Sequence, residues 1–227
     1  MLSAKNYLYV VQSRGQRDLP LERVYRNMRK RDLFLRAYGK IYANKGATTV
    51  GTDPMDTIQG MSIARIDKII EQLRNGTYRW KPSRRVYILK KNGKKRPLSI
   101  PNWSDKLVQE VIRMILEAYY EPQFRHNSHG FRPGRSCHTA LQQIKRTWKG
   151  TKWFIEGDIK GCFDNIDHQI LLDLLSRKIH DLRFLKLIRE MLAAGYLDDW
   201  VYHKSFSGTP QGGIITLPTQ KVTLSSQ

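Results

Sequence analysis

Four acidic side chains lie within the stretch EGDIKGCFDNID of a chain that is otherwise strongly basic. They are Glu156, Asp158, Asp164 and Asp167. The residues WFIEGDI predict a buried strand that carries Asp158 near its end. Mg²⁺ prefers one or two carboxylates together with substrate phosphates, and a pair of such ions can stabilise the attacking and leaving oxygens of phosphoryl transfer. The stretch therefore favours a metal site at Asp158.

Structural roles compete with this hypothesis. Asp167 directly precedes the helix-like run HQILL, so it is placed to cap that helix, and Asp164 can satisfy backbone groups in the turn. We favour these structural roles for both residues. For Asp158, spacing alone leaves a metal ligand and a structural acid equally open.

The chain is strongly basic, which indicates a polyanionic partner. Its net charge of +20 comes from 40 Lys and Arg against 20 Asp and Glu. Such an excess usually means nucleic acid and sometimes an anionic membrane surface. Residues 79–96 hold nine basic side chains and no acid. Trp80 and Tyr87 within this run suit contact with bases as well as phosphates, although a solvated basic face is the alternative.

Several other kinds of protein are disfavoured. Two cysteines, Cys137 and Cys162, are too few for a disulfide scaffold or a cysteine-based zinc site, so we expect reduced thiols. No run reaches the roughly 18 apolar residues of a membrane span. The N-terminus shows no secretory signal, so we expect a cytoplasmic, bacterial location, with an organellar one as the weaker alternative. The histidines lack acids or cysteines at ligand spacing and are not expected to bind metal: His126, His129 and His138.

The first half of the chain predicts helices around one hairpin. Residues 21–45 predict one long basic helix, and 46–62 predict a loop that is functional or mobile. The apolar face of that helix would hold Val24, Met28, Leu35 and Tyr38. Further predicted elements are a helix between Ser62 and Gly76, a hairpin over 84–100 turning at Asn92-Gly93, and a helix over 105–120.

The second half predicts three further helices besides the strand that precedes Asp158. They cover residues 138–149, 168–179 and 182–194, and Gly195 is the expected C-cap of the last one. The chain thus combines helices with a few strands and lacks a regular βαβ alternation. This pattern is typical of an α+β fold.

Four motifs together resemble those of group II intron reverse transcriptases, also called maturases. GDIKGCFDNIDH (157–168) is similar to the first catalytic motif of that family. KRPLSIP (95–101) and HGFRPGRSCHTAL (129–141) are similar to the first and second finger motifs. GTPQGG (208–213) is similar to the palm motif that contacts nucleotide and template. Four motifs in the expected order are far more specific than any one of them.

The resemblance covers nearly the whole chain up to Ile215, including a finger insertion at 105–124 and a basic N-terminal segment at 21–62. It implies the fingers and a truncated palm of a right-hand polymerase, helix-rich with a small antiparallel sheet. The implied domains are a basic N-terminal extension at 1–62, fingers at 63–150, and a partial palm at 151–227 that ends in a divergent tail.

The resemblance also implies roles at the nucleotide site. Asp158 would be the catalytic metal ligand of a two-Mg²⁺ site, with the carbonyl of Ile159 beside it. Phe163 would be the aromatic gate that disfavours a 2′-hydroxyl, core packing being the alternative. Cations would grip the triphosphate because charge develops as pyrophosphate leaves. The remaining nucleotide-binding residues would be Lys90 and Arg96 as those cations, Arg84 stacking nearby, and Pro210 and Gln211 in a tight loop.

For RNA and template binding, the resemblance points to two basic regions. Arg132 and Arg135 lie in the loop FRPGRS, which could present backbone amides and guanidinium groups to template phosphates. Gly212 would let the backbone approach the nascent base pair closely. The N-terminal extension would add Arg26, Arg29, Lys30 and Arg31.

The chain departs from the family pattern after the Gln-Gly motif. The family continues with a Tyr-x-Asp-Asp hairpin that supplies two more catalytic aspartates, but here GTPQGGII is followed by TLPTQKVTLSSQ. Residues 196–199, Tyr-Leu-Asp-Asp, precede the motif and follow a predicted helix end. We therefore interpret Asp198 and Asp199 as a solvated turn, since two anions are disfavoured at a helix C-terminus. We expect this chain alone to bind RNA and to polymerise little or nothing.

Taken together, these features predict a fragment of an RNA-directed DNA polymerase whose full-length parent also assists intron splicing. The expected partners are intron RNA, primer–template nucleic acid and dNTP, with no membrane; the chain could also form a homodimer. One alternative is a non-catalytic RNA-binding splicing cofactor or the remnant of a broken mobile element. Another is a reverse transcriptase of a different lineage, such as a retron or diversity-generating element.

Overall fold

A helix that is buried on nearly all sides forms the centre of the computed structural model. The structure describes residues 3–44, 46, 48–89, 93, 95–157, 159, 165–205 and 207–208. The described helices are α1 Ala4–Gln16, α2 Val24–Met28, α3 Arg31–Tyr42, α4 Ile63–Asn75, α5 Trp103–Tyr120, α6 Cys137–Thr147, α7 His168–Ser176 and α8 Leu182–Ala193, with a 3₁₀ turn at Glu121–Gln123. The described strands are β1 Ser83–Leu89, β2 Lys95–Ile100, β3 Tyr196–Asp198 and β4 Val201–His203. No helix among these is both long and apolar enough to cross a membrane.

The central helix is α5, and it confirms the helix predicted over 105–120. Its apolar side chains, such as Leu107, Val111 and Ile115, are fully buried. It packs against α1, α2 and α3. Since contact on several sides leaves no solvent face, α5 is apolar over a wider arc than a surface helix.

Polar groups that α5 carries into the core have partners. The Asp105 carboxylate accepts a hydrogen bond from the Tyr78 hydroxyl at 2.5 Å, and the Lys106 ammonium donates to the Thr49 carbonyl at 2.8 Å. Glu110 accepts two bonds from the Arg113 guanidinium, each 2.7 Å long. Satisfied in this way, buried polar groups avoid most of their desolvation cost.

The predicted loop at 46–62 is confirmed as irregular, but its described residues are anchored to α5. The Asp56 carboxylate is buried and accepts the backbone N–H of Ser104 at 3.1 Å, in the first turn of the helix. Asn102, just before α5, donates to the Thr52 hydroxyl at 2.8 Å and accepts the Asp53 N–H at 2.8 Å. These bonds hold the loop against the start of the helix.

The N-terminal helix α1 was not predicted from the sequence. The Ser3 hydroxyl caps it by accepting the Asn6 N–H at 3.2 Å, and Tyr7 and Val11 are buried against the core. Gly15 lies directly against the backbone of Tyr119, where a Cβ would collide with the Tyr119 carbonyl oxygen. The absence of a side chain at Gly15 therefore sets how closely α1 approaches α5.

The prediction of one helix over 21–45 is wrong, because the chain forms α2 and α3 with an extended residue, Lys30, between them. Met28 and Leu33 are both fully buried. In one straight helix these two residues would point about 140° apart, so the break lets both enter the core. Leu35, expected on the buried face, is instead 43% exposed.

A hairpin forms where it was predicted, and its strands belong to a larger sheet. The strand order is β2-β1-β3-β4; β1 pairs antiparallel with β2 and parallel with β3. The sheet is therefore mixed, whereas an antiparallel sheet was expected. Gly93 has a positive φ of 75°, as the predicted turn requires, and its neighbours 90–92 and 94 lie outside the described residues.

The solvated turn predicted for Asp198 and Asp199 is confirmed for Asp199 and wrong for Asp198. The residues form the hairpin β3–β4, with Asp199 and Trp200 at positive φ in its turn. Asp198 lies in β3 and accepts the Tyr87 hydroxyl at 2.6 Å. Helix α8 ends at Ala193, and Gly195 takes a positive φ of 74° just beyond it. This glycine lets the chain leave the helix and enter the sheet immediately.

The buried strand predicted over WFIEGDI is not formed by its described residues. Trp153, Phe154 and Ile155 are 88%, 74% and 100% exposed, and no strand is assigned over 151–157. A strand needs a neighbour to satisfy its backbone groups, and no described strand pairs with this segment. The helix predicted next to it, α6, also has no buried residue.

The division into 1–62, 63–150 and 151–227 stays a prediction. One cluster of buried apolar side chains extends from Ala4 in α1 to Leu192 in α8, so the core crosses both boundaries.

We expect Gly15→Ala to destabilise the chain, because the added methyl group must push α1 away from Tyr119. Overpacking of this kind costs about 1–3 kcal/mol, so thermal denaturation should show a lower Tm by several degrees. Gly39→Ala is the matched control, since nothing lies within 4 Å of a Cβ there in helix α3. Alanine is the better helix former, so an equal Tm loss in both variants would contradict the close-approach argument.

Asp105 should make stability depend on pH. Burial raises its pKa to about 7, although bonds from Tyr78 and Lys81 partly oppose the shift. In the unfolded chain the Asp105 pKa is about 4. Between that pH and the folded value, the folded chain binds more protons than the unfolded chain. The contribution of Asp105 to stability therefore falls as pH rises through this window, by at most about 1.4 kcal/mol per pH unit. Urea unfolding from pH 5 to 8 should show the chain losing stability relative to Asp105→Asn. A pH-independent difference would refute the assignment.

Candidate nucleic-acid interface

One face of the β1–β2 hairpin brings together two of the predicted nucleotide-binding arginines. Arg84 lies opposite Ile100 and Arg96 lies opposite Ile88. Directly opposed residues share a face, so both guanidinium groups belong to the same face, about 14 Å apart along the strands. The Arg84 Nε is buried and has no hydrogen-bond partner among the described residues. This face can offer two separated positive charges to an extended anion.

The opposite face of the sheet links the fingers hairpin to β3. The Arg85 guanidinium lies 3.7 Å from the centroid of the Tyr196 ring, which stacks on His203. The bond from Tyr87 to Asp198 raises the pKa of the Tyr87 hydroxyl. The Asp198 carboxylate is thus engaged by the fingers, so it serves here as a structural acceptor.

The acidic stretch is only partly described. Asp158 and Phe163 lie outside the described residues, as does Asp164, whereas Ile159 is described and 57% exposed. Asp167 accepts the Ile170 N–H at 2.9 Å, which confirms the predicted helix cap. In the described part of the chain, no group of three or more His, Cys, Asp or Glu side chains could hold a metal ion. A Mg²⁺ site at Asp158 therefore stays a prediction.

The other predicted contacts of the nucleotide and the nascent base pair also lie outside the described residues. They are Lys90, Pro210, Gln211 and Gly212. Gly208 lies at the start of the Gln-Gly motif, and its carbonyl bonds to the His168 imidazole at 2.7 Å. The Gly208 N–H donates to the Ile166 carbonyl at 2.8 Å. These contacts place the start of the motif beside the end of the acidic stretch.

In the FRPGRS loop, Arg132 holds the loop together. Its guanidinium donates to Glu121 at 2.9 Å and to the carbonyls of Arg125 and Ser128, and its side chain is only 7% exposed. Arg135 donates to the His126 carbonyl at 2.6 Å and is half-buried. Template contact by either residue stays a prediction, and the structure leaves Arg135 the more accessible of the two.

His129 has a structural role in the same region. Its two ring nitrogens bond to Thr139 at 2.8 Å and to Gln143 at 2.6 Å, which ties the loop to helix α6. The N-terminus of α6 is closed by a capping box between Ser136 and Thr139. The loop is thus held at both ends.

The four basic residues predicted in the N-terminal extension lie around the junction of α2 and α3. Arg31 donates two hydrogen bonds of 2.7 Å to Asp67, so its charge is largely compensated. Lys30 has its ammonium 5.1 Å from the centroid of the Tyr7 ring. Arg29 lies over the Tyr25 ring at 5.6 Å, and Arg26 is exposed.

Two arginines that the sequence did not single out join this group. Arg183 of α8 lies 4.6 Å from the centroid of the same Tyr25 ring and donates to the Arg74 carbonyl at 3.3 Å. Arg74 belongs to α4, and both are far from Arg29 along the chain. Only the packing of α2, α4 and α8 brings them together, so no local pattern in the sequence could have identified them.

Comparison with known proteins places this geometry in context. The family model described as "Reverse transcriptase (RNA-dependent DNA polymerase)" matches residues 88–217, from the fingers hairpin past the Gln-Gly motif. The chain is 56% identical over 200 residues to the group II intron-encoded protein LtrA of Lactococcus lactis subsp. cremoris, covering 88% of this chain and 33% of that protein. It is 51% identical over 209 residues to an uncharacterized 91 kDa protein in the cob intron of Schizosaccharomyces pombe, covering 90% and 26% respectively.

A solved structure shares the fold. A chain of a partial Cas6-RT-Cas1–Cas2 complex superposes with a TM-score of 0.59 at 16% identity, covering 90% of this chain and 34% of that one. The chain spans about a third of the length of these relatives. The resemblance inferred from the four motifs is thereby confirmed: the chain belongs to the reverse transcriptase family, and its similarity to group II intron-encoded proteins extends over most of its length.

Proposed function

We propose that this chain forms the fingers and part of the palm of an RNA-directed DNA polymerase encoded by a group II intron. In the proposed reaction of the longer protein, a primer 3′-hydroxyl attacks the α-phosphate of a dNTP and pyrophosphate leaves. The observation that carries the proposal is the family match over 88–217, which begins in the hairpin that carries Arg96 and extends beyond Gln211. Arg84 and Arg96 on one face support a triphosphate site there.

The chain on its own is proposed to be inactive as a polymerase. The two aspartates that the family places after the Gln-Gly motif do not occur in its 227 residues. Asp198 and Asp199 do not replace them, because Asp198 is bonded to Tyr87 and precedes the motif. Mg²⁺, when bound at Asp158, would supply charge stabilisation, but one aspartate cannot readily hold the two ions of such a site.

The partners are proposed to be intron RNA, primer–template nucleic acid and dNTP. The net charge of +20 supports binding to phosphates, and similarity to a protein named as group II intron-encoded supports intron RNA as the ligand. An alternative is an RNA-binding splicing cofactor without catalysis. That alternative requires only the basic surface that the net charge of +20 supports, and no catalytic carboxylates.

Self-association and a bacterial cytoplasmic location complete the proposal. Trp153, Phe154 and Ile155 form a contiguous apolar stretch that water contacts, and such surfaces commonly mark association sites. Similarity to a Lactococcus lactis protein supports a bacterial location, whereas similarity to a cob intron protein supports the organellar alternative.

Primer extension tests the claim of inactivity. With an RNA template, an annealed primer, dNTP and Mg²⁺, we expect no cDNA above background from the 227-residue chain. Asp158→Asn is the matched variant and should behave identically. The proposal would be overturned by robust synthesis that depends on Asp158, while a full-length group II intron-encoded relative serves as the positive control.

The salt dependence of RNA binding tests the electrostatic basis of the function. If several phosphates are neutralised, affinity should fall at least tenfold between about 50 and 200 mM salt. Fluorescence anisotropy with a labelled RNA hairpin gives the dissociation constants. An uncharged morpholino of the same sequence is the control, because it lacks phosphates, and it should bind far more weakly. A flat salt response would argue against phosphate recognition.

A further inference from the structure

A cationic cavity lies at the junction of α2, α4 and the start of α3. Its volume is about 850 Å³, within the range of pockets that bind small ligands. Arg183 of helix α8 is not among the lining residues, but its guanidinium donates a hydrogen bond to the carbonyl of one of them, Arg74, at 3.3 Å. The residues lining the cavity are Arg23, Arg26, Asn27, Arg29, Lys30, Arg31, Asp32, Asp67, Ile70 and Arg74.

The two acids in this cavity are engaged by residues other than Arg29. Asp67 is occupied by the two bonds from Arg31. Asp32 accepts the backbone N–H of Ala4 at 2.7 Å. Its carboxylate also lies 4.0 Å from the guanidinium of Arg36, which is not among the residues lining the cavity. Among the described residues, neither acid is therefore left to pair with Arg29.

Arg74 has an acidic partner, but the pair is weak. Its guanidinium lies 2.6 Å from Glu71, with both side chains at least half exposed. Exposed ion pairs contribute little because water screens them. The positive charge of Arg74 thus remains available to a second anion at the cavity.

Arg29 is the most constrained cation of the group. Its Nε is buried and has no hydrogen-bond partner among the described residues. Burial lowers the pKa of Arg29, and the charges of Arg183, Arg74 and Arg26 lower it further, but the group stays protonated at neutral pH. Four like charges converging around one buried donor are an unfavourable arrangement that an anion would relieve.

The arrangement is built before any ligand binds, because Tyr25, whose ring contacts two of the cations, is itself held by hydrogen bonds. Its hydroxyl donates to the Leu73 carbonyl at 2.6 Å, and its N–H donates to Asp181 at 2.8 Å. Arg29 and Arg183 both lie on the Tyr25 ring. A preorganised cation pair loses less entropy when it binds an anion.

We propose that Arg29, Arg74 and Arg26, supported by Arg183, bind a phosphate group of the RNA backbone. The guanidinium groups match the oxygens of a phosphate, with which they form strong bidentate bonds. This inference rests on the proposed function for the identity of the RNA, while the anion site itself can be tested without RNA. It joins the N-terminal extension, the fingers helix α4 and the palm helix α8 around one ligand.

Thermal denaturation with inorganic phosphate tests the site alone. At about five times its dissociation constant, phosphate should raise the Tm of the chain by about 2–4 °C. This phosphate-dependent rise in Tm should be at least halved in Arg29→Gln and in Arg74→Gln. The Arg74 side chain is largely exposed, so its replacement is not expected to prevent folding. Phosphate also stabilises proteins generally by exclusion from their surface, so the comparison between variants decides.

Arg189→Gln is the matched control for these variants. Arg189 is exposed on α8, six residues beyond Arg183, and therefore lies on a different side of the same helix. It removes one positive charge and should leave the phosphate-dependent rise intact. Equal rises in Arg29→Gln, Arg74→Gln and Arg189→Gln would overturn the proposed site, as would a purely structural loss of Tm in Arg29→Gln with an unchanged phosphate effect.

RNA binding by the same variants tests the identity of the ligand. Anisotropy with a labelled RNA hairpin should show an affinity loss of about tenfold in Arg29→Gln and Arg74→Gln, and a salt slope less steep by about 1. Arg189→Gln should lose less than about twofold. Equal losses in all three variants would show general attraction and overturn the site, while leaving the proposed RNA-binding function standing.

Discussion

The burial of α5 is the constraint on which the rest of the structure depends. Because this helix has no solvent face, every element around it must both cover apolar surface and satisfy the polar groups that α5 brings inside. Tyr78 does so from within the core, and the loop at 46–62 does so through Thr49 and Asp56, while Arg113 pairs with Glu110 inside α5 itself. A segment that sequence suggests is a free loop is thus part of the framework.

Elements with strong local signals were predictable from the sequence. The Asn-Gly turn signal, the apolar period of α5 and the Ser62 and Gly76 caps of α4 all act over a few residues, and the structure forms the two hairpin strands, α5 and α4. No glycine or proline lies at the break between α2 and α3, so no local sequence signal predicts it. It arises because Met28 and Leu33 must both reach a core whose other half is distant in sequence, and tertiary packing outweighs the local period there.

The candidate site was predictable only where a motif carries it. Arg84 and Arg96 were identified through the resemblance, and the hairpin register places them on one face. Arg74 and Arg183 lie outside every motif, and only the contacts of Arg183 with the Tyr25 ring and the Arg74 carbonyl reveal them. For Arg132 the sequence was misleading in the other direction. Its residue type and its loop favoured a template contact, but its partners in the structure are Glu121 and nearby carbonyls. Residue type does not reveal whether a guanidinium is already engaged.

The contact between Gly15 and Tyr119 has a consequence for synthesis on the ribosome. Helix α1 leaves the exit tunnel before α5, because the surface that it packs against lies about a hundred residues later in the chain. At about 5–20 residues per second, that partner arrives only after several seconds or more. During this interval the apolar side of α1, including Tyr7 and Val11, has no native surface to cover it. Until α5 has been synthesised, this apolar side of α1 is therefore open to chaperones and to non-native contacts.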